Sequence, residues 1–274
     1  MDLIYITNNI LRAEIAQHAG VDRIMIDLEI NGKVERQGHL NTVISRHTLK
    51  DVRNLRGVLR DASLMVRVNP IFPGSREEIE RCIDLGVDIL MLPMFTTARE
   101  VEQFISMIDG KARVCLLLET GQALARANDI LNVVGIDEVH LGLNDLHIAL
   151  KLTFMFELLS GGLVDHFSNI LQSRNIKFGF GGVARLNRGP LSSNMILIEH
   201  ARLGSTQVIL SRDFNQVFET VGETGGIEGF CEEIRLLREF IIQAANTTEL
   251  EYDINSAKVR KVVQVIVGNY KNLY

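Results

Sequence analysis

The residues of this chain best suited to chemistry stand one after another behind short apolar runs. Asp27 and Glu29 follow Arg23-Ile24-Met25-Ile26, and Arg67 and Asn69 close Leu64-Met65-Val66-Arg67-Val68-Asn69-Pro70. Glu119 closes Val114-Cys115-Leu116-Leu117-Leu118, and Asn144 and Asp145 follow His140-Leu141-Gly142-Leu143. A glycine-rich stretch, Gly179-Phe180-Gly181-Gly182, and a charged one, Ser211-Arg212-Asp213, complete the series. A charge directly after an apolar strand is also common as a plain loop start or helix cap. Carboxylates and an arginine on neighbouring strands are a stronger combination. Glu119 and Asp145 are 26 residues apart, one strand–helix–strand unit, so the spacing predicts side chains emerging from adjacent strands at one rim. Two carboxylates facing a common point repel unless a cation lies between them. No histidine or cysteine stands at ligand spacing, so this oxygen set suits Mg2+ or Mn2+ better than zinc. Arg67 offers a planar fork matched to a carboxylate or enolate oxygen. Its competing role is an internal salt bridge with Glu119 or Glu29.

Positioning such groups requires a scaffold, and the sequence shows one by alternation. Apolar, β-branched runs recur at Leu3–Thr7, Arg23–Leu28, Leu64–Val68, Ile89–Pro93, Val114–Leu118, Glu138–Leu143, Lys177–Gly181 and Gln207–Leu210. Most are nearly continuous, as expected of parallel strands buried on both faces. Between them lie helical periods: Val101, Phe104, Ile105 and Ile108 fall at i, i+3, i+4, i+7. Gly20, Gly86 and Gly135 each stand two residues before an aspartate that opens the next strand, where a glycine ends the preceding helix. Eight strands alternating with helices predict an α/β fold, a (β/α)8 TIM barrel with an extra C-terminal helix. Residues 1–246 are expected to form the barrel. Residues 247–274, after the polar break at Asn246–Asp253, are expected to form an extension that contacts another subunit. Capping of its own barrel is the alternative. In a barrel the chemistry lies at the C-terminal ends of the strands, which is where the polar residues fall.

Bulk properties remove several classes. The chain has 274 residues, 46% hydrophobic and 23% charged, with a formal net charge of −5. That mildly acidic balance gives no electrostatic reason for nucleic acid or an anionic membrane as partner. No apolar stretch approaches the length of about 20 residues needed to span a bilayer. The start, Met1-Asp2-Leu3-Ile4-Tyr5, carries no basic segment, long apolar segment or cleavage site, so the expected location is cytoplasmic. Cys82, Cys115 and Cys231 have no Cys-x2-Cys spacing and read as reduced thiols, the first two of them buried.

One motif is a decoy. Gly179-Phe180-Gly181-Gly182-Val183-Ala184 fits the dinucleotide pattern, with Glu199 about twenty residues on. It follows the seventh strand, whereas that fingerprint follows the first strand of its fold. A glycine-rich turn where barrel backbone approaches a ligand explains it as well, with Gly181 and Gly182 the candidate substrate contacts. His140 alternates within a strand and reads as a core residue, and the absence of any His-x3-His or Cys-x2-Cys set argues against zinc.

Taken in order, Ile26-Asp27-Leu28-Glu29, Val66-Arg67-Val68-Asn69, Leu92-Pro93-Met94, Leu117-Leu118-Glu119-Thr120 and Gly142-Leu143-Asn144-Asp145-Leu146 resemble the HpcH/HpaI aldolase and citrate lyase beta-subunit family, of the phosphoenolpyruvate/pyruvate-binding barrel superfamily. The resemblance covers roughly residues 20–215. It implies that Glu119 and Asp145 are ligands of Mg2+ or Mn2+ and that Arg67 holds the keto-acid oxygen that becomes the enolate. It also implies a homo-oligomer acting on a small-molecule keto acid. The expected reaction is metal-dependent carbon–carbon cleavage or formation next to a pyruvate-like 2-keto acid. A citrate lyase-like or acyl-CoA lyase and a non-catalytic ligand-binding barrel are the alternatives. The aldolase branch carries a histidine soon after the acidic pair of the second strand. Here Ile30-Asn31-Gly32-Lys33 follows Glu29, and the expected base is His39, ten residues further on, or a metal-activated water.

Overall fold

The computed structural model describes residues 1–31 and 47–271. Eight parallel strands close into a barrel in chain order: β1 (Asp2–Ile6), β2 (Arg23–Asp27), β3 (Ser63–Arg67), β4 (Ile89–Leu92), β5 (Arg113–Leu118), β6 (Glu138–Leu141), β7 (Lys177–Val183) and β8 (Gln207–Leu210). Each coincides with a run read from the sequence to within two residues at either end. The near-continuous apolar character has its reason in burial: every residue of β2, β4 and β6 is buried. Chain contacts divide into two compact units, Ile4–Val139 and Met1–Leu3 with His140–Tyr274.

In the first unit the helices are α1 (Ile10–His18), α2 (Leu49–Val58), α3 (Ser75–Asp84), α4 (Ala98–Ile108) and the short α5 (Gly121–Ala125) and α6 (Ala127–Leu131). The period seen in α4 buries Val101, Phe104 and Ile108, and Thr97 with Glu100 forms a capping box at its start. Gly20, Gly86 and Gly135 take positive φ, as helix-ending glycines do. The aspartates that follow have a second use. The carboxylates of Asp88 and Asp137 accept the Leu64 and Val114 N–H groups, each at 2.7 Å, where β3 and β5 begin. At the N-terminal ends of the strands Arg23 and Glu138 form a fully buried ion pair.

The second unit holds α7 (Leu143–Ala149), α8 (Glu157–Ser160), α9 (Leu163–Ser173), α10 (Ser193–Arg202), α11 (Gln216–Ala245, broken at Gly222) and α12 (Glu249–Lys271). The extension packs on α8 and α10 of its own chain, as the alternative reading had it, burying Tyr252, Val259 and Val263. Glu199, 1% exposed, fastens it. Its Oε1 accepts from Asn255 at 2.8 Å and Ser256 at 2.7 Å, while Arg202 donates to Oε2 from Nε at 2.8 Å. Glu199, the acidic residue of the dinucleotide decoy, is therefore a structural fastener. Among the described residues no helix is long and apolar enough to cross a membrane.

Candidate active site

The residues singled out at the ends of β2, β3 and β5 lie in the first unit, and register explains how two of them meet. Asp27 and Arg67 are Cα partners across β2 and β3, so their side chains leave the sheet side by side. Arg67 donates from Nε to Asp27 Oδ1 and from Nη2 to Asp27 Oδ2, both at 2.8 Å, a two-pronged pair. Glu29 approaches Arg67 Nε to 3.5 Å. The internal salt bridge foreseen for Arg67 thus exists, but Asp27 is its main member. Glu29 is secondary, two residues beyond the register.

Asp27, Glu29 and Glu119 are 2%, 2% and 4% exposed, and all three act electrostatically on Arg67. Burial on its own would lower the guanidinium pKa; the charges of Asp27, Glu29 and Glu119 and the Asp27 hydrogen bonds outweigh it and raise it. Three buried carboxylates thus stand within electrostatic reach of one arginine. Glu119 Oε1 accepts the Met94 N–H at 3.2 Å, and Met94 reaches it in the left-handed region at φ 55°. A non-glycine residue held there is strained backbone, of the kind that clusters at ligand sites.

The loop after β2 is tied down by Asn69, whose Oδ1 accepts the N–H groups of Ile30 at 2.9 Å and Asn31 at 3.0 Å. Asn69 is in turn held by Glu78, through Nδ2 at 2.6 Å and the backbone N–H at 3.1 Å. Burial raises the Glu78 pKa against the lowering effect of those bonds. One group that the sequence reading missed also reaches the site: His47 Nδ1 accepts the Asp27 N–H at 3.0 Å. His39 lies outside the described residues.

In the second unit Asp145 is half-buried in the first turn of α7, a position where a carboxylate also suits the helix dipole. Gly181 and Gly182 belong to β7 itself, around a register shift against β8. Neighbouring atoms leave little room for a side chain at Gly179 and Gly181. A Cβ on Gly179 would lie 2.2 Å from the Gln207 carbonyl oxygen, and one on Gly181, at φ +52°, would meet Leu143 at 3.1 Å. The stretch runs on as strand to Val183, and the next helix starts at Ser193, so it lacks the strand–turn–helix geometry of a dinucleotide fingerprint. Arg185 and Asp213, beyond β7 and β8, form a second two-pronged pair at 2.9 and 3.1 Å.

Among the described residues no three His, Cys, Asp or Glu side chains form a group able to hold a metal. One or two carboxylates with water and substrate oxygens completing the shell is the habit of Mg2+, and the buried carboxylate of Glu119 is a donor of that kind.

A closed parallel barrel with carboxylates and an arginine gathered at its C-terminal strand ends defines an α/β-barrel protein of the enzyme type. The model of the HpcH/HpaI aldolase/citrate lyase family matches residues 4–157, and the chain belongs to that family of aldolases and lyases. Two solved structures are similar in fold, each at 14% sequence identity. An HpcH/HpaI aldolase from Desulfitobacterium hafniense DCB-2 superimposes with a TM-score of 0.60, covering 87% of this chain and 93% of that one. An HpcH/HpaI aldolase/citrate lyase family protein from Burkholderia cenocepacia J2315 gives 0.63, covering 86% and 94%. A comparison with curated protein sequences gave no match.

Proposed function

We propose that this protein is a divalent-metal-dependent carbon–carbon lyase that cleaves or forms a bond next to a pyruvate-like 2-keto acid, passing through the enolate. The observation that carries the reading is Arg67, set at the end of β3 among three buried carboxylates. Its contacts to Asp27 use Nε and Nη2, so Nη1 is the edge available to a substrate oxygen. As a keto acid becomes its enolate, negative charge grows on the carbonyl oxygen, and a fixed guanidinium there favours the transition state over the ground state. Asp27 keeps that guanidinium oriented when no substrate is bound.

Glu119 is the first ligand proposed for Mg2+ or Mn2+, and Asp145 the second, on the spacing of the two acidic residues. The bound cation would supply Lewis-acid charge to the keto-acid oxygens. Gly181 and Gly182 are proposed to bring backbone to the substrate. The further proposals are a homo-oligomeric state and a cytoplasmic location.

The reading is tested by assaying cleavage of a panel of 4-hydroxy-2-keto acids with Mg2+, with Mn2+ and with EDTA, alongside acyl-CoA thioesters. The expected result is pyruvate release from one or more keto acids that EDTA abolishes. Cleavage of the thioesters alone would replace the aldolase reading with an acyl-CoA lyase.

A further inference from the structure

Beyond the last backbone hydrogen bonds of β2 and β3, side chains join the two strand ends. Leu28 N–H donates to the Arg67 carbonyl at 2.9 Å, and Val68 N–H donates to the Met91 carbonyl of β4 at 3.1 Å. Pro70 has no N–H with which to extend β3 further. From there Asn69, 9% exposed, takes over. Its Oδ1 accepts two consecutive donors past the end of β2, Ile30 N–H at 2.9 Å and Asn31 N–H at 3.0 Å. Glu29 stands just before them, and its own N–H donates to Asp27 Oδ1 at 3.3 Å. Both peptides flanking Glu29 are therefore fixed, and its carboxylate lies 3.5 Å from Arg67 Nε.

What orients Asn69 is Glu78, in the first turn of α3. A primary amide is polar in one direction: its oxygen accepts and its nitrogen donates. Glu78 Oε1 accepts from Asn69 Nδ2 at 2.6 Å, and Oε2 accepts the Asn69 backbone N–H at 3.1 Å. Turned over, the amide would set Nδ2 against the Ile30 and Asn31 N–H groups and Oδ1 against the carboxylate. Both contacts would be repulsive, so the carboxylate selects the orientation in which Oδ1 faces the Ile30 and Asn31 N–H groups. A glutamine in its place has one oxygen for two Asn69 donors and cannot hold the amide in the same way.

We propose that Glu78 is a positioning residue of the active site: through the Asn69 amide it holds the Glu29 carboxylate against the Arg67 guanidinium. The assignment rests on the keto-acid reading, in which Arg67 meets the substrate oxygen. Glu78 and Asn69 act through Glu29 and Arg67, and no bond or proton is exchanged at either.

The test inverts the polarity of the contact. Asn69→Asp keeps an acceptor for Ile30 and Asn31 but sets two carboxylates face to face. Glu78→Gln leaves two donors for one oxygen. In the double variant the glutamine Nε2–H donates to the new carboxylate and its Oε1 accepts the backbone N–H at position 69, so every contact is remade. With metal-dependent exchange of pyruvate methyl protons at saturating pyruvate as the activity, each single variant should lose about 10- to 10²-fold in turnover, the scale of a small misplacement near a reacting centre. The double variant should recover most of that loss, with far-ultraviolet circular dichroism showing all three folded. Parental turnover in both single variants overturns the proposal, as does a double variant no better than the single ones. A loss of turnover that only follows loss of folded protein also overturns it, because the pair would then support the fold and not the site.

A second readout needs no turnover. The Arg67 Nε–H signal in nitrogen-resolved NMR, identified by its absence from Arg67→Lys, should shift in each single variant and return in the double one. An Arg67 signal unmoved by either single substitution overturns the proposal. A parent protein without exchange defeats the keto-acid reading, and the Arg67 signal then decides by itself whether Glu78 sets the guanidinium.

Discussion

Replacing Arg67 with methionine keeps most of the side-chain stem and removes the cation that the structure sets among Asp27, Glu29 and Glu119. Breaking a buried ion pair by deleting one partner costs about 3–5 kcal/mol, because the other charge is left uncompensated. The Arg67 side chain is 16% exposed, so some water reaches the site and the lower end applies, about 3 kcal/mol. For a chain of this size each kcal/mol moves Tm by about 2 °C, which gives a fall of about 6 °C near pH 8. The effect should depend on pH with a definite sign. Removing a nearby cation favours the neutral form of a buried carboxyl group. The stability associated with that neutral form is present at low pH and lost as pH rises through the folded pKa values. The Tm gap between parent and Arg67→Met, measured calorimetrically from pH 8 to pH 5, should therefore narrow as the solution is acidified. Arg67→Lys keeps the charge without the fork and should fall between the two. A gap below about 1 °C, or one that does not change with pH, would show that Arg67 is not what balances these carboxylates.

Three further outcomes follow from particular contacts. Glu119→Ala and Asp145→Ala should each lose tight Mn2+ binding, read by titration of the free-ion electron paramagnetic resonance signal, while far-ultraviolet circular dichroism stays unchanged; parental affinity in either would remove that residue as a ligand. Asn255→Ala deletes donors to Glu199 Oε1 and to the Met195 carbonyl and should lower Tm by about 2–4 °C, for about 1–2 kcal/mol; no change would mean that α12 is held by its valines alone. His200 is fully buried, stacked 3.7 Å from Phe180, and burial together with the charge of His140 holds its pKa well below the ordinary 6.5. The unfolded chain takes up that proton first, so stability is intact above 6.5 and declines as pH falls below it. His200→Phe should flatten this decline, and an unaltered Tm–pH profile would contradict the account.

All eight strands were legible because burial on both faces leaves a continuous apolar run, a signal that needs no knowledge of partners. The polar residues at the strand ends were legible for the same reason, as interruptions of that run. What pairs with what was not legible. Asp27 takes Arg67 because the two are Cα partners on adjacent strands, and register is not written in either run alone. His47 was missed because its contact reaches back 20 residues to a backbone N–H exposed only by the shortness of β1. The apolar face of α12 was seen, but the pattern alone did not decide between a neighbouring subunit and the chain's own barrel as the cover of Val259 and Val263. Likewise the glycines of β7 pointed to a close approach without saying to what. For Gly179 it is the backbone of Gln207.

The central claim is that this site forms an enolate from a pyruvate-like keto acid with a divalent cation. It is tested most directly by following exchange of pyruvate methyl protons with deuterated water, which needs no knowledge of the second substrate. Exchange that requires Mg2+ or Mn2+, stops with EDTA and falls by about 10²–10³ in Arg67→Lys is the predicted result. A protein that binds the metal and pyruvate yet leaves the methyl protons in place would contradict it.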